Sequence, residues 1–428
     1  MHYRTMLRDR FVPTAACRDG RRSGIVMLRR AGLRLLLPAL LLSAVAGIAG
    51  AGDVSEGAES LEERMLERLV TEDEYDSEWF SPEFRQQLSP VQLQGQIAGL
   101  IDGIGELEVV DGEDGEYTLL FDEALVPATI SLDERDQIDA VFFQPANPRA
   151  ETFDELSEQL RELPGDTAAL VIEDGEALIE HNVDKAFSVA SAFKLSVLAA
   201  VGDLIEDGSL SRDDVVEITE EDRSLPSGLM QDWPVGTAVT IDTLLVQMMS
   251  ISDNTATDVL MRVAGRDQVD RYAGEHRRVP TTREMFAILG SEDGALAENW
   301  READTSAELE AVLEEAASES LDRSLGLPSH RDRRDIGWMY TARQLAGLTE
   351  AVAGMEAAAV SRGAADAVDW DNVVYKDGYV PGAAAEVVHG HGEHGEEYTV
   401  VLLWNRDDED VDVLGLYGFA LSAVRMLE

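Results

Sequence analysis

The segment that most constrains the structure is Phe187-Ser188-Val189-Ala190-Ser191-Ala192-Phe193-Lys194-Leu195. Apolar residues recur at helical spacing from position 191 to position 206, which predicts a helix that begins at or near Ser191. Residues at i and i+3 share one helix face, so the Lys194 amine is expected beside the Ser191 hydroxyl. Because a serine hydroxyl needs a neighbouring base to take its proton, the pair is a candidate nucleophile and base.

Lysine usage supports this interpretation, which the S-x-x-K spacing alone would leave weak. The chain has three lysines, Lys185, Lys194 and Lys376, and arginine supplies every other basic side chain. Arginine stays protonated, whereas a buried lysine can lose its proton and act as a base. Two of the three lysines therefore stand in candidate motifs. The alternative for Lys194 is a solvated lysine on a helix surface.

Two further motifs follow along the chain. Ser252-Asp253-Asn254 falls between two predicted helices, in a tight turn where short polar side chains can point into a cleft. The alternative is a simple capping turn, because all three residue types cap helices. Lys376-Asp377-Gly378 ends a strand-like run, Asn372–Tyr375, where a lysine can bind a substrate carboxylate and a glycine lets a ligand approach the backbone. The alternative there is an exposed lysine before a turn.

In this order the three motifs resemble those of class A beta-lactamases and penicillin-binding proteins, over roughly residues 165–428. The chain also resembles one subgroup of these proteins, which carries an N-terminal cystatin- or NTF2-like domain. The similar segments are Thr282–Phe286, Ile336–Trp338 and Tyr375–Gly378. That subgroup includes a beta-lactamase-like protein of clavulanic-acid gene clusters and exported actinobacterial relatives. The resemblance implies a penicillin-recognising serine hydrolase that needs no cofactor.

The resemblance also implies a role for each matching residue. Ser191 would attack the acyl carbon, Lys194 would take its proton, and Ser252 would relay a proton to the leaving nitrogen or oxygen. Asn254 would bind the substrate amide and steady Lys194. Lys376 would attract the substrate carboxylate and, by its charge, help to lower the pKa of Lys194.

The third motif departs from the usual pattern. The family resemblance assigns Gly378 to substrate binding and the backbone N–H groups of Ser191 and Tyr379 to the oxyanion hole. However, Asp377 stands where threonine is usual, and Tyr379 stands where serine or alanine is usual. A carboxylate beside an anion site should repel anionic substrates, which disfavours beta-lactam antibiotics as substrates.

The carboxylate that would activate the hydrolytic water is missing from its usual string. No E-x-x-L-N sequence lies between Asn254 and Lys376. Glu284 is the candidate for this base, and the alternative is a surface glutamate in an acid-rich chain. Without such a base, lactams would acylate the serine but turn over slowly. Esters, whose acyl-enzymes hydrolyse more readily, would be natural alternative substrates.

The pattern of elements predicts an α+β protein with two structured parts. Residues 53–146 combine predicted helices with a strand meander, as in a cystatin/NTF2-like domain, and residues 147–152 are expected to be a linker. Within residues 153–428, predicted strands lie near both ends of the segment and a mostly helical region lies between them. The segment is therefore expected to form a beta-lactamase-like domain, with one antiparallel sheet assembled from both ends and an all-helical subdomain.

Residues 1–52 are predicted to be an N-terminal extension and signal peptide, with Met27 as an alternative start. Arginines precede the apolar run 35–48, and cleavage is expected near Ala51. The run is short for a membrane span and no cysteine follows it, so no membrane anchor is expected after cleavage. The protein is predicted to be secreted or periplasmic. Because Cys17 is the single cysteine, the mature protein should lack thiols.

The charge balance is strongly acidic, with 84 acidic residues against 35 basic ones and a net charge of −49. This excludes nucleic acid as a partner and disfavours an anionic membrane surface, because both require a basic face. Such a charge repels itself at low salt and is screened at high salt. We interpret it as adaptation to a saline environment; the alternative is a merely very soluble exported protein.

We expect the thermal unfolding midpoint to rise as potassium chloride is increased from ~0.1 M to ~1 M, because screening relieves the repulsion between carboxylates in the folded chain. Thermal unfolding followed by circular dichroism measures this. A flat or falling midpoint over that range would contradict the saline interpretation.

A histidine-rich segment, His389-Gly390-His391-Gly392-Glu393-His394, could bind a metal. It falls between two predicted strands, Ala383–Val388 and Tyr398–Trp404. Because glycine and polar residues are ordinary in hairpin turns, we predict a loop there and no metal site.

Two functions fit these observations. The first is an exported serine acyl hydrolase of beta-lactamase type, which acts as a monomer on a small-molecule lactam or ester through a Ser191 acyl-enzyme. The second is a penicillin-binding-like protein that captures a ligand with slow turnover or none. The altered third motif favours the second function, whereas Lys194 and Lys376 favour the first.

Overall fold

The structure is a computed structural model, and it describes residues 60–72, 74–113, 115–122, 124–144, 146–150, 152–273, 278–291, 294–319, 321 and 336–428. All of them belong to one compact unit, Ala58–Glu428. The predicted signal peptide, Met27 and Cys17 lie outside the described residues. None of the helices that the structure describes is long and apolar enough to cross a membrane.

The first part of this unit packs helices against a four-stranded meander. Its helices are α1 (Leu61–Thr71), α2 (Pro82–Gln87) and α3 (Pro90–Leu100). Its strands are β1 (Leu107–Glu113), β2 (Glu116–Phe121), β3 (Ala124–Leu132), β4 (Ile138–Phe143) and β5 (Asn147–Pro148). Ser60 and Ser89 begin α1 and α3 with capping boxes, which satisfy N–H groups that a helix start leaves unpaired. The sheet order is β1-β2-β3-β4, as the predicted meander requires.

The segment that follows the meander contacts both the meander and the C-terminal helix. Strand β5 pairs with β3 and includes the first two residues of the predicted linker. From the C-terminal helix, Ser422 Oγ donates a hydrogen bond to Pro148 O at 3.2 Å. The short helix α2 was not predicted from the sequence. The likeness of this part to a cystatin or NTF2-like domain stays a prediction.

The second part consists of one antiparallel sheet and a helical region. Its helices are α4 (Phe153–Glu162), α5 (Lys194–Glu206), α6 (Ile241–Ser250), α7 (Asn254–Ala264), α8 (Arg266–Asp270), α9 (Thr282–Gly290), α10 (Ala295–Glu302), α11 (Ser306–Ser318), α12 (Ala342–Val352) and α13 (Val413–Met426). Its strands are β6 (Asp166–Glu173), β7 (Glu176–His181), β8 (Phe187–Ser188), β9 (Val215–Glu217), β10 (Ala238–Thr240), β11 (Met339–Tyr340), β12 (Asp371–Val380), β13 (Ala383–His391) and β14 (Glu397–Asn405).

The main sheet has the strand order β12-β13-β14-β6-β7, so strands from both ends of this part lie side by side as predicted. Alternation along β14 shows how the sheet is covered. Val401 and Leu403 pack into the core that includes α5, whereas Val400 and Leu402 pack with α13. A sheet buried on both faces holds its strands rigidly, and the face toward α5 is the one that supports the candidate site.

Two strand boundaries differ from the sequence prediction. Strand β12 continues to Val380, so Lys376-Asp377-Gly378 lies inside a strand and does not end one. Strand β13 continues to His391, so His389 and His391 belong to a strand and only the rest of the histidine-rich segment follows it. The hydrogen-bonded register with β14 runs through both histidines, and this pairing outweighs the turn preference of the intervening glycine.

Candidate active site

Ser191 and Lys194 stand at the junction of two helix types. Ser191 lies in a 3₁₀ turn, Ala190–Phe193, and Lys194 is the first residue of α5, so the predicted α-helix begins three residues late. Side chains at i and i+3 eclipse in a 3₁₀ turn, and Lys194 Nζ lies 3.2 Å from Ser191 Oγ. Ala190 has a φ of 44°, a backbone conformation that costs energy and is concentrated at functional sites.

The second motif supplies the other contacts of the lysine amine. Lys194 Nζ lies 2.6 Å from Ser252 O, 2.9 Å from Ser252 Oγ and 2.7 Å from Asn254 Oδ1. Asn254 Nδ2 donates to Leu225 O at 3.0 Å, which turns the amide oxygen toward the lysine. Ser252 has a φ of 56°, so a second residue of the cluster is held in the left-handed region.

Asp253 shows that this motif is also a cap. Its side chain is buried and accepts a hydrogen bond from Ala256 N at 2.9 Å, which starts α7. It also accepts from Leu229 N at 2.6 Å and from Met230 N at 2.9 Å. One carboxylate thereby fixes the helix start to a distant loop and orients the residues on either side of it. In this motif, Asp253 is the residue that the capping alternative describes, whereas the cleft interpretation applies to Ser252 and Asn254.

The surroundings of Lys194 disfavour its charged form. The side chain is fully buried, and burial together with the nearby Lys376 cation holds its pKa well below the ordinary value, although Asp253, Asp377 and Asp258 oppose the shift. Two of its four contacts are carbonyl oxygens, which can only accept hydrogen bonds. A neutral amine would use its two N–H groups there, which leaves its single lone pair to accept from one hydroxyl, that of Ser191 or that of Ser252.

The third motif packs against the turn that carries Ser191. A Cβ atom at Gly378 would lie 2.2 Å from Val189 O and 2.9 Å from Ser191 N, so a larger residue is sterically excluded. Strand β12 therefore runs directly along the backbone of the 3₁₀ turn. Tyr379 follows Gly378 in the same strand, and this close approach is what an oxyanion hole from Ser191 and Tyr379 would need.

Lys376 forms an ion pair with its own neighbour. Its Nζ donates to Asp377 Oδ1 at 2.6 Å and to Asp377 O at 2.8 Å. The lysine side chain is 1% exposed and the aspartate side chain is 50% exposed. Burial opposes the charge of Asp377, but the attraction and hydrogen bond of Lys376 outweigh it and hold the pKa of that carboxyl below its ordinary value. The sequence did not predict this pairing.

Glu284 is not hydrogen-bonded to the Ser191–Lys194 cluster. Its carboxylate accepts two hydrogen bonds from Arg266 Nη2, at 2.7 and 2.9 Å, and one from Thr281 N at 2.8 Å in a capping box at the start of α9. The side chain is buried, so the surface alternative is wrong. Within the described residues, no carboxylate is hydrogen-bonded to the side chains of Ser191 or Lys194.

Asp258 is a structural residue that the sequence analysis missed. Its buried carboxyl accepts hydrogen bonds from Thr282 N, Thr282 Oγ1 and Arg283 N and thereby joins α7 to the start of α9. Burial raises its pKa to about 7, against the effect of those hydrogen bonds. In a chain this rich in acidic residues, no local pattern distinguishes such a carboxyl from solvated ones.

The histidine-rich segment does not gather a ligand set in the structure. His389 is buried, and its Nδ1 lies 3.0 Å from Thr399 Oγ1 on the neighbouring strand. Across the part of the chain that the structure describes, no group of three or more His, Cys, Asp or Glu side chains could hold a metal ion.

Comparisons with known proteins agree on one family. The family model described as "Beta-lactamase enzyme family" matches residues 150–367. Beta-lactamase VEB-1 of Pseudomonas aeruginosa is 35% identical over 95 residues, which are 21% of this chain and 31% of that protein. The chain thus spans about a third of the length of this curated relative.

Two solved structures are similar in arrangement. The first is a beta-lactamase from Sphaerobacter thermophilus, with 18% identity, 64% of this chain and 94% of that chain covered, and a TM-score of 0.40. The second is PBP-A, with 13% identity, 64% and 95% covered, and a TM-score of 0.42.

Proposed function

Because the chain belongs to the beta-lactamase enzyme family, we propose that it is a serine acyl hydrolase that works through a Ser191 acyl-enzyme. The observation that carries the proposal is the contact between a buried amine of lowered pKa and the Ser191 hydroxyl, 3.2 Å apart. Serine needs such a base, and an amine whose charged form is disfavoured by burial can provide it. Substrates of this class are small acyl compounds, either lactams or esters.

In the acylation step, Ser191 Oγ attacks the acyl carbon while its proton passes to the lone pair of Lys194 Nζ. The carbonyl oxygen becomes an oxyanion, which the N–H groups of Ser191 and Tyr379 would stabilise. The bond from the acyl carbon to the leaving nitrogen or oxygen then breaks. Ser252 donates its hydroxyl proton to the leaving atom and takes one from the Lys194 ammonium, so the lysine is neutral again.

Asn254 acts in this scheme through its amide. Its oxygen accepts a hydrogen bond from one N–H of Lys194, so the single lone pair of the lysine is left for the Ser191 hydroxyl. Gly378 lets β12 run close to the backbone N of Ser191, and Lys376 adds to burial in lowering the pKa of the Lys194 amine.

We propose that deacylation is the slow step. Hydrolysis of the acyl-enzyme needs a base for the incoming water, and Glu284 has both oxygens engaged by Arg266 and Thr281. We assign Glu284 to the stability of the α9 start and not to water activation. This favours esters over lactams as turned-over substrates, and it keeps a slowly released covalent complex as the second candidate function.

The predicted location and organisation are part of the proposal. We propose an exported monomer, released after signal cleavage near Ala51, in which residues 53–146 precede the hydrolase domain at 153–428 and residues 147–152 connect the two. The apolar run 35–48 after a cluster of arginines supports export.

Pre-steady-state hydrolysis of p-nitrophenyl acetate tests the function. We expect a burst of about one nitrophenolate per protein chain, followed by a slower linear phase, because acylation outruns deacylation. Ser191→Ala should abolish the burst, and Glu284→Gln should leave the linear rate unchanged while it lowers the unfolding midpoint. A burst that survives in Ser191→Ala would refute the acyl-enzyme. A burst with no linear phase would support the second candidate function, a covalent complex that is released slowly.

A further inference from the structure

The ion pair between Lys376 and Asp377 has an asymmetric exposure. The cation is almost completely buried and the anion is half exposed. A molecule that approaches from solvent therefore meets the carboxylate before it meets the ammonium. Two hydrogen bonds of Lys376 Nζ, at 2.6 and 2.8 Å, are already made to Asp377 atoms. The positive charge of this lysine is thus compensated within its own strand.

The pair borders the nucleophile. Side chains alternate along a strand, so Lys376 and Gly378 share the face of β12 that lies against the Ser191 turn. The close approach of Gly378 to Ser191 N shows that this face of β12 lies directly against the Ser191 turn. Lys376 is also near enough to Lys194 to help lower the pKa of its amine. Asp377 starts from the opposite face of the strand, but its Oδ1 lies 2.6 Å from Lys376 Nζ and its charge also acts on the Lys194 amine, so the Lys376–Asp377 pair lies close to the Ser191–Lys194 centre.

Neighbouring groups do not restore a free positive charge. Glu386 is directly opposite Asp377 in the register of β12 and β13 and is buried, and Tyr375 Oη donates to it at 3.1 Å. Burial and the Asp377 charge raise the pKa of Glu386 to about 8, so it is uncharged at neutral pH and leaves Asp377 as the counterion of Lys376.

An arginine beside the end of β12, Arg406, is also paired with carboxylates. Arg406 lines a pocket together with Ser188 and Val380, beside the end of β12. Its guanidinium lies 3.1 Å from Asp408 Oδ1 and 3.1 Å from Glu409 Oε2. The whole chain has a net charge of −49, so the long-range field repels anions as well.

We propose that Asp377 occupies the anion-binding position of the site as a built-in counterion, so that the Ser191 centre selects neutral or cationic acyl compounds over those that carry a carboxylate. The inference rests on the proposed acyl-hydrolase function and names its substrate class. A substrate carboxylate would have to displace Asp377 from Lys376 or lie beside it as a like charge, and both are unfavourable. An uncharged ester or amide meets neither obstacle.

The test compares benzylpenicillin with its methyl ester, which differ in one negative charge. The second-order rate constant for Ser191 acylation by each compound is measured by intact-protein mass spectrometry, with Ser191→Ala as the blank. We expect the unaltered protein to react faster with the methyl ester. Asp377→Asn should raise the ratio of the benzylpenicillin rate to the methyl ester rate about 10- to 100-fold, the value of one hydrogen bond to a charged group.

Asp371→Asn is the matched control, because Asp371 is an exposed aspartate of the same strand and its loss changes the net charge equally. It should leave the ratio unchanged. If Asp377→Asn does not fold, as judged by circular dichroism, Asp377→Thr takes its place. Faster reaction of the unaltered protein with benzylpenicillin, or an unchanged ratio in the Asp377 variant, overturns the counterion role. Absence of a Ser191-dependent adduct with either compound overturns this inference, whereas the hydrolase function itself is overturned only if the Ser191-dependent burst with p-nitrophenyl acetate is absent as well.

Discussion

Lys194→Ala should lower the acylation rate of Ser191 about 10³-fold or more, because it removes the only amine in contact with the serine hydroxyl among the described residues. The burst of p-nitrophenyl acetate hydrolysis measures the rate. Lys194→Arg should be equally inactive, although it keeps a positive charge and hydrogen-bond donors, because a guanidinium stays protonated and cannot accept the proton.

The chain offers a matched control in Lys185. This lysine is half exposed, and its Nζ lies 2.7 Å from Asp166 Oδ1 on the surface. Lys185→Ala should keep the full burst, since an exposed ion pair contributes little. If Lys194→Arg retained a burst comparable to the unaltered protein, the lysine would not be the base. Circular dichroism spectra of all variants separate loss of chemistry from loss of fold.

Substitutions of Lys376 and Asp377 should shift the pH dependence of acylation in opposite directions. The acid limb of the profile follows the pKa of Lys194, because only the uncharged amine takes the serine proton. The Lys376 cation lowers that pKa, so Lys376→Gln should raise it and move the limb to higher pH. The Asp377 anion raises the pKa, so Asp377→Asn should lower it and move the limb to lower pH.

The measurement uses the methyl ester of benzylpenicillin, so that attraction of a substrate charge does not enter the comparison. Acylation rates are recorded across the acid limb for both variants and for Asp371→Asn, which should follow the unaltered profile. Shifts of the same sign in the Lys376 and Asp377 variants would show that the limb reports some other group. An unmoved limb in both would remove the electrostatic coupling to Lys194.

Much of the fold follows from local patterns. The sheet order β1-β2-β3-β4 is the meander that the sequence predicts, and the sheet order β12-β13-β14-β6-β7 brings together strands from both ends of the second part as predicted. Alternating burial and turn residues are properties of neighbouring positions, so they are visible in the sequence. Strand ends are less visible, as β12 and β13 show, because pairing with a neighbouring strand can extend a strand through glycine.

The candidate site also has features that follow from local sequence and features that depend on tertiary packing. Ser191 and Lys194 are close because they are three residues apart in one helical turn, which is a local property. The order of the three motifs is a property of the sequence itself. The convergence of Ser252 and Asn254 on one amine depends on packing between α5 and α7. Contact between α8 and α9 engages Glu284 with Arg266, and the Lys376 ammonium, which is buried within the sheet, is hydrogen-bonded to Asp377.

Amino-acid order alone therefore predicted the family and was sufficient to propose Ser191 as the nucleophile and Lys194 as its base, because each depends on residue type and short spacing. Tertiary structure decided which charges are free and which are already compensated. That distinction depends on burial and on side-chain geometry: Lys376 and Asp377 are neighbours in the sequence, yet only the structure shows that the buried ammonium is hydrogen-bonded to the adjacent carboxylate.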